Sequence, residues 1–141
     1  MNREILFRGK SNSTGKWHYG FLTYTPHGRH PQIIVLTSSK SIHIDVIPET
    51  VGQYTGLTDR YGNKIFEGDI VTVQGFAARD FFYSRLVVEF KKGCFYCVFY
   101  GKSRIYRDLL KDLNTNSNFG LDGNIHDNPE LVRKDEENGE V

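Results

Sequence analysis

Cys94 and Cys97 stand three positions apart in Cys-Phe-Tyr-Cys, the spacing of thiol–disulfide motifs and of half a zinc site. The residues around them are aromatic and β-branched, so the segment reads as a strand. Alternate strand residues face opposite ways, and three steps of about 3.3 Å separate the two Cα atoms by roughly 10 Å. A disulfide spans at most about 7 Å. With no second CxxC, zinc would have to draw two ligands from five scattered histidines, and the expectation is a pair of structural thiols with no metal and no cofactor. His27 and His30 flank Gly28-Arg29 ahead of Pro31, without the helical spacing or nearby acids of a metal site, and read as loop residues. His18 and His43 fall within strand patterns, and His126 has no partner visible in sequence.

Carboxylates crowd one stretch: Glu49, Asp59, Glu67 and Asp69. Paired acids can hydrolyse glycosides or hold divalent metals. Asp59 and Asp69, however, stand where Asp stabilises turns through nearby backbone, and Glu49 and Glu67 border strands, so structural roles are the leading reading and a hydrolase or metal-dependent enzyme the third. A second constellation is basic and aromatic. From Arg79 to Lys111 eight basic side chains face three acidic ones, and Phe76, Arg79, Phe81, Phe82, Tyr83 and Arg85 combine stacking surface with charge. Arg79, Phe81, Phe82, Tyr83 and Arg85 are the candidate contacts for nucleic acid or another partner. Lys92 to Phe99 echoes an RNA-binding strand motif, but Cys94 replaces an aromatic and the alternating helices of that fold are missing.

The elements that would position these groups are short strands. Patterning predicts them at Glu4–Arg8, Trp17–Thr25, Gln32–Leu36, Ser41–Ile47, Gln53–Tyr54, Asp69–Gln74, Arg85–Phe90 and Cys94–Tyr100. Gly and Asn residues in GKSNSTGK, and Pro and Gly in PHGRHP, join the first three as hairpins. Tyr61-Gly62-Asn63-Lys64 and Glu67-Gly68-Asp69 are two further reversals, because Gly tolerates the positive φ a tight turn needs. Pro48 ends the strand before it or confines it to an edge. Ile105, Leu109 and Leu113, with Tyr106 and Leu110 beside them, predict a helix over Arg104–Leu113, and Asn128 with Pro129 and Glu130 predicts a helical turn over Asn128–Val132.

Composition sets the class. Aromatic residues make up 13% of the chain while alanine occurs only at Ala77 and Ala78, which favours sheet over helix. A formal charge of +1 excludes a protein that blankets nucleic acid over its whole surface. From Asp127 onward six acids face Arg133 and Lys134 in a segment too poor in apolar residues to order itself by burial. No apolar run approaches the roughly 20 residues of a membrane helix, and the first ten residues lack a signal-peptide core, so the expectation is a protein of the cytoplasm. The expected organisation is a β sub-domain over 1–50, a barrel-like β sub-domain over 51–133 and a flexible acidic tail over 134–141.

The stretch Ile47 to Val71, IPETVGQYTGLTDRYGNKIFEGDIV, closely resembles the signature of the YopX family of phage and prophage proteins. REILFRGK followed by GKWHYGFL is similar to the family's opening hairpin, and LDGNIHDNPEL to its closing motif; the basic segment between Gly75 and Phe119 is this chain's own. The residues carrying the resemblance are Pro48, Glu49, Gly52, Gln53, Tyr54, Gly56, Asp59, Gly62, Glu67, Gly68, Asp69, Gly123, Asn124, Asn128 and Pro129, and their expected role is structural. The resemblance implies a mainly β protein in two parts, a bacterial cytoplasm as setting and no established enzymatic role. Glu67 to Val73 also looks like the turn and first strand of SH3-like barrels. The leading functional expectation is a non-enzymatic interaction or assembly module, acting through a protein partner or self-association. Nucleic-acid binding through Phe76–Lys111 is the alternative.

Overall fold

In the computed structural model, residues 3–77, 80–100, 104–108 and 119–132 are described, with backbone alone at 74–77, 80–84, 104, 105, 107 and 108. The chain is mainly β, as its composition demands, and divides into two units, Met1–Gly56 and Leu57–Val141. Eleven strands follow in order: β1 (Phe7–Lys10), β2 (Trp17–Tyr24), β3 (Pro31–Leu36), β4 (Ser41–Asp45), β5 (Gly52–Thr58), β6 (Lys64–Phe66), β7 (Asp69–Ala77), β8 (Asp80–Lys91), β9 (Cys94–Tyr100), β10 (Arg104–Asp108) and β11 (Phe119–Asn124). One sheet has the order β4-β3-β2-β1-β5-β6, the other β10-β9-β8-β7-β11, and every pairing among the described strands is antiparallel.

In the first unit the predicted meander runs β1 to β4 through tight loops. Ser11 is buried in the first of these, where its carbonyl accepts from Gly15 N–H (3.0 Å) and its hydroxyl oxygen from the amides of Ser13 (3.2 Å) and Thr14 (3.3 Å). After β4 the chain makes a single 3-10 turn, Pro48–Thr50, with proline at its start, where a missing amide proton costs nothing. The Thr50 hydroxyl donates to Ile47 O (2.6 Å) and accepts from Lys10 N–H (2.9 Å), which ties this turn to the end of β1.

Registers decide which face of this sheet is core. Ile33 and Val46 are fully buried. Gly9 faces Val46, and a Cβ there would lie 2.9 Å from Val46 Cβ. Gly20 lies against Ile34, whose carbonyl oxygen occupies the place a side chain would take. Two glycines thus bring neighbouring segments down onto one face of the sheet. The other face, by strand alternation, carries Trp17, Tyr19 and Phe21.

In the second unit β8 and β9 are joined by the two-residue turn Lys92-Gly93, both at positive φ (51° and 79°), the geometry whose twist matches a hairpin. Both faces of this sheet bury apolar groups. Val71, Val73, Leu86, Val88, Cys97 and Phe119 cluster with Ile65 on one side, while Ile70, Val87 and Val132 pack on the other with Ile125, Leu131 and Tyr100 around them. Residues 129–132 form the predicted helical turn. The helix expected over Arg104–Leu113 is not what forms: Arg104–Asp108 is strand β10, paired with β9 through Ile105↔Phe99 and Tyr106↔Val98, and 109–113 lie outside the described residues. Four-residue spacing of apolar groups is shared by short helices and short strands, and the long β9 edge captured the segment. β10 and β11 stand at the ends of this sheet's order; closure into an SH3-like barrel is not among the described pairings.

Gly20→Ala should be among the most damaging single-methyl additions in the first unit. The new Cβ must displace backbone rather than a flexible side chain, so a loss of about 2 kcal/mol or more is expected in denaturant unfolding. An unchanged midpoint would show that β2 and β3 approach less closely than described.

Candidate interaction surface and the signature turns

Two of the four signature carboxylates, Asp59 and Asp69, accept hydrogen bonds from backbone amides. Asp59 is buried, and its Oδ1 accepts from the amides of Tyr61 (2.9 Å) and Asn63 (2.8 Å). Its Oδ2 accepts from Asn63 Nδ2 (3.0 Å) and from Leu121 N–H in β11 (3.1 Å). Burial by itself pushes this carboxyl up, but the bonds from the Asn63 side chain and from the Leu121, Asn63 and Tyr61 amides outweigh it and hold Asp59 below the ordinary aspartate value. Asp69, fully buried, accepts from Phe66 N–H at 2.7 Å across the Glu67-Gly68 turn. Gly62 and Gly68 sit at φ 84° and 91°, the reversals their positions predict. Gly68 donates to Val88 O (2.8 Å) and accepts from Ile125 N–H (2.9 Å), so this turn is bonded to β8 and to the chain leaving β11.

The closing motif is a second lock. β11 slips register between Leu121 and Gly123, leaving Asp122 as the extra residue of a bulge. Asn124 Oδ1 then accepts from the amides of His126 (3.0 Å) and Asp127 (2.9 Å), Asn128 Oδ1 accepts from Asn124 N–H (3.3 Å), and Asn128 N–H donates to Asn124 O (2.8 Å). Pro129 follows as the first residue of the helical turn. Of the remaining signature positions, Pro48 and Glu49 are exposed in the 3-10 turn, Gly52 and Tyr54 are buried in β5 with Gln53 half-buried between them, and Gly56 is exposed at φ 89°. Glu67 is half-buried beside Gly68.

The sulfur and imidazole groups do not gather. Cys94 is exposed and Cys97 buried, on opposite sides of β9 as alternation requires, and both are free thiols. His27 is exposed in the β2–β3 loop. His30 Nε2 lies 3.2 Å from Asn12 Nδ2 and 3.8 Å from Asp45 Oδ1, and Asp45 also accepts from Gln32 Nε2 (2.8 Å). His43 Nδ1 is 3.4 Å from Gln32 Oε1. Among the described residues no group of three or more His, Cys, Asp or Glu side chains is placed to hold a metal ion.

Of the candidate contact residues, Arg79 lies outside the described residues, as do the side chains of Phe81, Phe82 and Tyr83. In backbone register Phe81, Phe82 and Tyr83 pair with Phe76, Gly75 and Gln74 of β7. Arg85 is placed: its Nε donates to Asp122 Oδ2 at 3.0 Å, and Thr72 Oγ1 donates to the same oxygen at 3.1 Å, so the bulge residue gathers β7 and β8. On that same face Tyr100 OH donates to Glu89 Oε2 (2.6 Å). Lys91 Nζ lies 4.5 Å over the Tyr106 ring and donates to its hydroxyl (3.1 Å), and Tyr96 meets Tyr106 edge-on. Polar and aromatic groups here bond largely to one another.

The first unit presents a different surface. Tyr19, Phe21 and Leu36 are 48%, 54% and 63% exposed, and register places Phe21 beside Ile34 in β3. At the β1 end of the row Arg8, itself buried, stacks 4.5 Å from the Trp17 ring, and Lys10 lies 5.7 Å from it. Large apolar side chains in the middle of a sheet face are unusual to leave in water when three stand together. Sequence reasoning passed over this row; the signal available was WHYGFLTY itself, with bulky aromatics at 17, 19 and 21 and a glycine between the last two.

Two measurements test these assignments. Asp59 is stabilising in its ionised form, so its contribution is complete above the unfolded-chain value near pH 4 and disappears as pH falls through the lower folded-state value. Asp59→Asn should therefore lower stability by about 2 kcal/mol at neutral pH, with the gap to the parent narrowing below about pH 4. A gap independent of pH would contradict the bonding described. A thiol reagent should modify Cys94 in the native protein and reach Cys97 only on unfolding; two equally fast thiols would contradict the burial of Cys97.

Among the described residues no helix is long and apolar enough to cross a membrane. No curated protein matches the chain. Among solved structures it is similar to protein EF1440 from Enterococcus faecalis, with a TM-score of 0.56 and 19% identity over 93% of this chain and 99% of that one, a likeness of fold. The family model described as YopX protein matches residues 6–133, nearly the whole chain and all three sequence blocks discussed above. The chain belongs to the YopX family.

Proposed function

We propose that this protein is a non-enzymatic interaction or assembly module, encoded by a phage or prophage and working in the bacterial cytoplasm. The observation that carries the reading is the exposed row Tyr19, Phe21 and Leu36 on the first sheet. Exposing such a row lowers solubility and forgoes burial worth about 1.5–3 kcal/mol per side chain, so a partner that covers it is the economical explanation. Two of the signature carboxylates, Asp59 and Asp69, support the reading from the other side, because their oxygens accept backbone amides that hold turns. An acid that ends a turn in this way is a poor proton donor or metal ligand, since releasing it would unmake the turn.

The test is recovery of crosslinked partners from cells carrying the phage or prophage, with the parent protein and with Tyr19→Ser/Phe21→Ser/Leu36→Ser. These positions are exposed, so the triple variant should fold, which circular dichroism checks. Partners recovered by the parent and lost from the folded variant are expected. An identical set from both would reject this face as the interaction surface.

A further inference from the structure

We propose that the exposed face of the first sheet is a stacking platform for single-stranded nucleic acid, with Trp17, Tyr19 and Phe21 taking bases and Lys10, Lys16 and Lys40 taking phosphates. The inference rests on the reading of this face as the interaction surface and names its partner.

Three observations converge. The aromatic residues occupy alternate positions of β2 and so share a face, about 7 Å apart in succession. Base–aromatic stacking needs such rings presented in a row on a rigid scaffold, and is indifferent to sequence because every base has a π-face. The scaffold here is closely packed: Gly20 of β2 lies against the Ile34 backbone of β3, and Gly9 of the adjacent β1 lies against Val46.

Charge points to the same ligand. The unit Met1–Gly56 holds six basic side chains against three acidic ones, whereas the remainder of the chain holds twelve against fourteen. The near-neutral total thus hides a basic first unit. Three of its six cations border the aromatic and apolar row: Lys10 closes β1 and Lys16 precedes β2, both beside Trp17, while Lys40 stands in the β3–β4 turn beside the exposed Leu36, at the opposite end of β4 from Lys10. Trp17 begins β2 within reach of Arg8 and Lys10. A protein partner would be served by apolar surface alone; apolar rings bordered by cations at separate points suit a ligand with flat bases and a charged backbone running past them. In the basic segment around Arg85 that guanidinium is engaged with Asp122. The platform therefore lies in a different unit from the segment whose composition first suggests nucleic acid.

Trp17 is the single tryptophan of the chain, so its fluorescence reports on this face directly. Titration of the full-length protein with oligo-dT and oligo-U of about a dozen nucleotides should quench that fluorescence. Affinity should fall about tenfold between 50 and 200 mM salt, the response for two to three phosphate contacts on a single strand. Phe21→Ala and Tyr19→Ala, both at exposed positions that retain the reporter, should each weaken binding about fivefold or more. Lys16→Glu/Lys40→Glu should weaken it and flatten the salt dependence. Tyr61→Ala, at an exposed tyrosine of the other unit, should bind like the parent. A duplex of equal length, whose bases are already stacked, should bind more weakly than the single strand.

The proposal is overturned if single strands neither quench Trp17 nor bind by anisotropy at 50 mM salt, or if binding survives Phe21→Ala and Tyr19→Ala unchanged. It is overturned equally if those two substitutions change only self-association seen by light scattering. Loss of crosslinked protein partners in the triple variant without oligonucleotide binding would overturn it while leaving the interaction reading intact.

Discussion

One tight turn, Glu67-Gly68-Asp69, organises the second unit. At φ 91° the backbone of Gly68 presents its amide to Val88 O and its carbonyl to Ile125 N–H, while the Asp69 carboxylate closes the turn onto Phe66 N–H. Two segments distant in sequence are therefore fixed to one residue. A side chain at Gly68 would oppose that φ, and a neutral group at Asp69 would leave a buried amide without its charged acceptor. Asp59 repeats the device at the neighbouring reversal, locking its own loop and reaching Leu121 in β11. Asp59 and Asp69 of the signature thus serve as backbone acceptors, each holding the turn it closes.

The first unit solves a different problem with the same residue type. A small sheet needs something to bury, and here the supply is modest: Ile33 and Val46 are the fully buried residues. Glycine at positions 9 and 20 lets Val46 and the β3 backbone come close enough to make that core dense. The consequence is sidedness. Once the glycine face is inward, the rings of Tyr19 and Phe21 must point outward, however apolar they are.

Much of this was legible from residue types. Gly62 and Gly68 demand positive φ, so both reversals could be read directly, as could the helical turn started by Asn128-Pro129 and most strand positions. What was not legible depends on contacts far apart in the chain. The segment from Arg104 carries apolar spacing compatible with a helix, and its assignment to β10 follows from pairing with β9 rather than from its own pattern. The bond from Leu121 to Asp59 joins residues 62 positions apart and leaves no local trace. The bulge that frees Asp122 to meet Arg85 and Thr72 is equally non-local.

The sidedness of β2 is the clearest case of what alternation cannot decide. Its odd positions, Trp17, Tyr19, Phe21 and Thr23, are the more apolar set, and by period-two reasoning they belong in the core. The even positions, His18, Gly20, Leu22 and Tyr24, would then face water. The structure departs from this in mid-strand, where Tyr19 and Phe21 are exposed and His18, Gly20 and Leu22 half-buried, because a sheet face is chosen by what can pack against it and Gly20 leaves room for the Ile34 backbone. Period-two patterning thus finds that a strand has two unlike faces but does not say which is inward. Where the inward choice is set by backbone clearance, the larger apolar side chains are left for something other than the chain's own core, and a strand that breaks the expected polarity becomes a pointer to function.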